Sequence, residues 1–116
     1  MAVTIYHNPR CSKSRQTLAL LEERGLAPQR IEYLKSPPDR ATLAALLRKL
    51  GLPASALVRR KEAEFAALGL DAPGVTEEQM LDAMAAHPRL IERPIVVVGR
   101  RARIGRPPEA VLEILP

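Results

Sequence analysis

The chain of 116 residues holds one cysteine, Cys11, inside YHNPRCSKSR, with His7 four residues before it and Arg10, Lys13 and Arg15 around it. Pro9 has no N–H and holds Asn8 in extended geometry, so a strand carrying His7 ends there and a helix begins at about Cys11. The first amides of that helix, from Ser12 to Arg15, have no intrahelical acceptors and point out of its start. A thiolate beside them gains from those N–H groups and from the positive end of the helix dipole. Arg10, Lys13 and Arg15 add cationic field, with His7 as a further candidate. All these terms favour S⁻ over SH, and the same amides form a cradle for a tetrahedral oxyanion. A nucleophile inside an anion cradle suits attack on the central atom of an oxyanion. The competing reading is a helix start with a small buried cysteine and a capped strand-end histidine.

A dithiol oxidoreductase would carry a second cysteine at position 14, where this chain has Ser14. An oxidised adduct on Cys11 therefore cannot be resolved from within, and an outside thiol such as glutathione or a glutaredoxin has to finish the reaction. One thiol and two histidines without ligand spacing give no reason to expect a metal. Of the 18 basic residues 14 are Arg, and the formal charge is +5. Either the genome favours Arg codons, or the protein needs planar, bidentate donors for an oxyanion, which Arg supplies better than Lys. Aromatic residues make up 3%, so base stacking is excluded as a main activity, and no nucleic-acid-binding motif is present. The opening MAVTIYHN lacks the basic and apolar regions of a secretory signal. No apolar run is long enough for a bilayer. A reduced, cytoplasmic setting is expected.

Elements that must position this loop follow from periodicity. VTIYH (3–7) alternates as a strand. SKSRQTLALLEERG reads as a helix with Leu18 and Leu21 on one face and Gly25 as its stop. QRIEYL (29–34) reads as a second strand, which makes a βαβ unit with parallel pairing. SPPDR then breaks the chain. Leu43, Leu46, Leu47 and Leu50 fall at helical spacing, closed by Gly51. PASALVRRKEAEFAALGL continues as two short helical pieces. Thr76 and Gln79 have capping-box spacing and open a helix that ends at His87-Pro88. PIVVVG (94–99) and RARIG (101–105) are strands joined by a turn at Gly99-Arg100 or Arg100-Arg101. PPEAVLEIL (107–115) is a closing helix with Val111, Leu112 and Leu115 on one side. The expectation is one α/β domain over 1–116 with a thioredoxin-like order, β-α-β … β-β-α, and an all-helical insertion at about 36–90.

IYHNPRCSKSRQTL, RRKE, HPRLIERPIVV and IGRPPEAVLEILP together resemble the glutaredoxin-dependent arsenate reductase family, the ArsC/Spx branch of thioredoxin-like proteins. The resemblance runs from Thr4 to Pro116. It implies that Cys11 is the nucleophile and that His7 helps keep it ionised. It implies oxyanion contacts from Arg59, Arg93 and Arg106, with Arg60 as the adjacent alternative to Arg59. Ser14 and Arg15, in the first turn after Cys11, are counted with that oxyanion site, and Pro94 takes the family's cis-proline position. The implied reaction is reduction of arsenate, or a similar small oxyanion, to arsenite. Glutathione would be the co-substrate and glutaredoxin the protein partner, with no bound cofactor. Two other functions share the fold. An Spx-like regulator that binds RNA polymerase would carry a C-x-x-C switch, which Ser14 breaks. A monothiol glutaredoxin-like oxidoreductase would not need three arginines around an oxyanion.

Overall fold

The alternation in VTIYH is realised as strand β1 (Val3–His7), with Val3, Ile5 and His7 buried. The computed structural model describes residues 2–116. It divides into two compact units, one of Met1–Ser36 with Arg93–Pro116 and the other Pro37–Glu92.

In the first unit, helix α1 (Ser12–Glu23) buries Leu18 and Leu21 and gives way to Gly25 at φ +76°, a conformation that glycine adopts without steric cost. Strand β2 (Gln29–Glu32) pairs parallel to β1. It is shorter than QRIEYL promised. The amides of Lys35 and Ser36 both donate to the Glu32 carbonyl, so the chain turns at once, and Tyr33 is buried within that turn. Strand β3 (Ile95–Val98) runs antiparallel to β1 and forms a hairpin with β4 (Arg101–Ile104) through Gly99-Arg100. The sheet order is β2-β1-β3-β4, and the order of elements is thioredoxin-like, as expected. Its apolar core is Val3, Ile5, Leu18, Leu21, Val96, Val98, Val111 and Ile114.

The register decides where chemistry can occur. His7 pairs with Glu32, Tyr6 with Ile95, and Ile95 with Ile104. The end of β1, the end of β2, the start of β3 and the end of β4 therefore share one edge of the sheet. The cysteine loop, Arg93-Pro94 and Gly105-Arg106 all begin within two residues of that edge.

The closing helix differs from expectation. Pro108–Ile114 is a 3₁₀ helix, and its buried residues are Pro108, Val111 and Ile114. Three residues per turn put i, i+3 and i+6 on one face, so Ile114 takes the place that α-helical spacing gave to Leu115, and Leu112 turns partly outward.

The second unit is helical: α2 (Arg40–Leu50), α3 (Ala54–Leu57), α4 (Ala63–Ala67) and α5 (Glu77–Ala86), then a short 3₁₀ turn, Pro88–Leu90. Asp39 caps α2 by accepting the Thr42 amide at 2.8 Å, and Gly51 ends it in the left-handed region. Thr76 and Gln79 form the capping box of α5. Helix α5 packs against α2 and α3, and Arg40 at the start of α2 is ion-paired to Glu78 and Asp82 of α5. Val58 and Ile91 form an antiparallel bridge, the one extended contact in a segment expected to be purely helical. No helix of the described residues is long and apolar enough to cross a membrane.

The 3₁₀ assignment predicts unequal costs for two truncations. Ile114→Ala should lower stability by about 2–4 kcal/mol, in the range for emptying a core aliphatic site, and Leu112→Ala by well under half of that. Urea unfolding midpoints of the two variants measure the difference; equal losses would restore the α-helical face.

Candidate active site

Cys11 is the N-cap of α1, in extended conformation, and its side chain makes no capping bond. Asn8 shapes the loop before it. Its carbonyl accepts the Cys11 amide and its Oδ1 accepts the Arg10 amide, both at 3.0 Å. The first helical bond runs from the Arg15 amide to the Cys11 carbonyl at 3.0 Å. The amide cradle expected over Ser12–Arg15 is therefore one residue shorter, because Arg15 has an acceptor. The Arg15 side chain is also committed to the loop, donating from Nη1 to the Pro9 carbonyl at 2.9 Å. It braces the turn.

His7 and Ser14 lie beneath this loop. His7 Nδ1 is 2.6 Å from Ser14 Oγ, and the same oxygen accepts the Asn8 amide at 3.0 Å. Ser14 is fully buried and His7 nearly so. Ser14 thus spends its hydroxyl on loop and histidine, which leaves its backbone amide as the group it can turn toward an oxyanion. Burial lowers the pKa of His7, and Arg30 and Arg15 push the same way against Glu32. The imidazole is accordingly neutral at pH 7 and adds no cationic field to Cys11. Its contact with the loop passes through Ser14.

The cation that does meet the sulfur is Arg106. Its Nη2 lies 3.5 Å from Cys11 Sγ, and its Nε–H donates to the Arg93 carbonyl at 2.8 Å. Cys11 is a free thiol with 8% of its surface exposed. Arg93 buries its Nε, and the Arg93-Pro94 peptide is cis. The Arg106-Pro107 peptide is cis as well, which nothing in the sequence had marked.

Gly105 sets this arrangement, and motif reading passed it over. Its amide donates to the Pro94 carbonyl at 2.9 Å. A Cβ added there would lie 2.5 Å from Thr17 Oγ1 and 2.8 Å from Pro94 Cγ. Thr17 is fully buried on α1 and its hydroxyl donates to the Lys13 carbonyl at 2.8 Å, so it has no room to retreat. The residue before Arg106 has to be glycine for β4, α1 and Pro94 to meet. The signal was the "IGRP" run, where an isolated Gly at a strand end marks close backbone approach.

Arg59 belongs to the second unit. Its Nη1 is 2.9 Å from Glu62 and its Nε 3.6 Å from Glu92, with all three side chains mostly buried. Its neighbour Arg60 donates to the Ser55 carbonyl at 3.0 Å and stacks over the Phe65 ring at 5.4 Å, so Arg60 is occupied in holding α3 and α4.

A family model described as the ArsC family matches residues 6–114. The chain is 54% identical over 114 residues to the uncharacterized protein YfgD of Escherichia coli strain K12, covering 97% of this chain and 96% of that one. It is 50% identical over 116 residues to an arsenate reductase of Rhizobium meliloti strain 1021, covering 100% of this chain and 83% of that one. A solved arsenate reductase from Vibrio cholerae matches with a TM-score of 0.96 at 53% identity, covering 99% of this chain and 98% of that one.

Two outcomes follow from the geometry. Gly105→Ala should leave a folded protein in which Arg106 has moved off the sulfur. A crystal structure of that variant with Arg106 Nη2 still near 3.5 Å from Cys11 Sγ would refute the steric argument. The lowered pKa of His7 means that the unfolded chain takes up a proton there more readily than the folded one. Its stabilising contribution is complete above about pH 6.5, the unperturbed histidine value, and is lost as the pH falls below that. Denaturation midpoints should decline on acidification through this window, and His7→Asn should flatten the decline.

Proposed function

The chain belongs to the ArsC family, and from that premise we propose that it reduces arsenate to arsenite at Cys11, with glutathione and a glutaredoxin as outside thiols. The observation that carries the reading is the Arg106 guanidinium lying against the Cys11 sulfur. A guanidinium there offers N–H donors to an oxyanion that approaches the sulfur.

The Cys11 thiolate attacks arsenic and one arsenate oxygen leaves as water. A glutathione thiol displaces a second oxygen in the same way, so arsenic carries both sulfurs. The two sulfurs then join. Their As–S bonds break, one S–S bond forms, arsenic takes two electrons, and one water adds back to the two-oxygen arsenic as it leaves as arsenite. Cys11 remains as a mixed disulfide with glutathione. Because Ser14 cannot attack that disulfide, a glutaredoxin thiolate removes the glutathione and returns Cys11 as thiolate.

The amides of Ser12, Lys13 and Ser14 precede the first helical bond and suit the arsenate oxygens. Arg93 and Arg106 are assigned to the same anion. Arg59 is assigned to it on the family likeness alone. His7, neutral and bonded to Ser14, keeps the loop in shape rather than acting as an acid or base. The cytoplasm, where thiols remain reduced, is the fitting compartment.

The test follows NADPH loss in a mixture of the protein, arsenate, glutathione, glutaredoxin and glutathione reductase. Cys11→Ser should abolish turnover. Arg93→Lys and Arg106→Lys should each lower kcat/KM for arsenate roughly tenfold or more, since a point charge cannot replace a planar fork. Absence of wild-type turnover, or full activity in the lysine variants, would overturn the reading.

A further inference from the structure

Strand β1 lies between β2 and β3 in the sheet. Two of the residues assigned to the anion, Arg93 and Arg106, stand just before the start of β3 and just after the end of β4. On the other flank of the cysteine loop, against the end of β2, the first unit has a cavity of about 320 Å³. His7, Asn8, Arg10, Glu32, Leu34 and Lys35 line it. Nothing in the mechanism has used Arg10, Glu32, Leu34 or Lys35.

The charges in this cavity form a pattern. Arg10 and Lys35 are cationic, Glu32 is anionic, and His7 is held neutral. Glutathione has two carboxylates, one ammonium group and an amide backbone. Two cations and one carboxylate on the protein therefore face two carboxylates and one ammonium on the ligand. Lys35 and Glu32 now pair at 3.5 Å, both well exposed, and an exposed pair of this kind costs little to open. Leu34, at 43% one of the exposed large apolar residues, offers a surface to the ligand's methylene groups. The volume sits at the lower end of the range for small-molecule sites, as a tripeptide requires.

We propose that this cleft is the docking site of the thiol co-substrate, with the peptide carboxylates on Arg10 and Lys35 and the ammonium on Glu32. This rests on the reading that an external tripeptide thiol completes the reaction. Arsenate and thiol then approach Cys11 from opposite flanks of one loop, so neither has to leave for the other to enter. The anion side selects for oxygens; the β2 side selects for a zwitterionic peptide.

S-methylglutathione, which lacks a free thiol, separates docking from chemistry. Titrated into ¹⁵N-labelled protein, it should shift the amides of Asn8, Arg10, Leu34 and Lys35 in a saturable way. Lys35→Glu should weaken that binding about fivefold or more, and added salt should weaken it further. In the coupled assay Lys35→Glu should raise KM for glutathione and leave KM for arsenate unchanged. Shifts confined to other residues, no saturable shifts, or unaltered binding by Lys35→Glu would overturn the proposal. A protein that turns over arsenate without these shifts refutes the cleft alone. One that shows them without arsenate turnover upholds the cleft and refutes the activity.

Discussion

The contact between Arg106 and the Cys11 sulfur governs the rest of the site. A guanidinium is useful there only if its plane is fixed, and the Arg93 carbonyl fixes it by accepting Nε–H. That carbonyl precedes Pro94, and Pro94 in turn accepts the Gly105 amide. Residues 11, 93–94 and 105–106, far apart in the chain, are tied into one small circuit by one backbone bond and two bonds from the Arg106 side chain. The Arg93 carbonyl, itself fixed beside the Gly105–Pro94 bond, is what holds a charged group steady on an exposed rim.

The loop itself is held from below. Asn8 braces it through its amide, its carbonyl and its side chain, and Ser14 Oγ collects the Asn8 amide and His7 in one place. A buried polar cluster of this type is stable only when its members are mutually satisfied. His7 serves here as a hydrogen-bonding partner, and its pKa is lowered by its burial, with Arg30 and Arg15 pushing the same way. The charge that the sulfur meets comes from β4, not from β1.

Much of this was legible in the residues. Alternation in VTIYH, the Pro9 break, leucine spacing in α2 and the Thr76/Gln79 box each encode local structure, and local rules read them correctly. Order of elements gave the thioredoxin-like topology. Misreadings arose where tertiary context decides. QRIEYL has strand propensity throughout, yet the chain turns after Glu32, with Tyr33 buried in that turn. PPEAVLEIL has α-helical spacing, yet it winds as 3₁₀. That the Ser14 hydroxyl and the Arg15 guanidinium bond to the loop itself could not be read in one dimension. Gly105 looked like punctuation because its neighbours, Thr17 and Pro94, come from elsewhere in the sequence.

The sheet has two open borders, β2 and β4. Arg30 and Glu32 sit on one, Arg101 and Arg103 on the other. A strand from another chain that tried to extend the sheet would have to strip water from these charges before forming any backbone bond. Part of the arginine surplus thus lies along the sheet borders, where charge opposes strand addition, and the basic balance of the protein needs no single explanation.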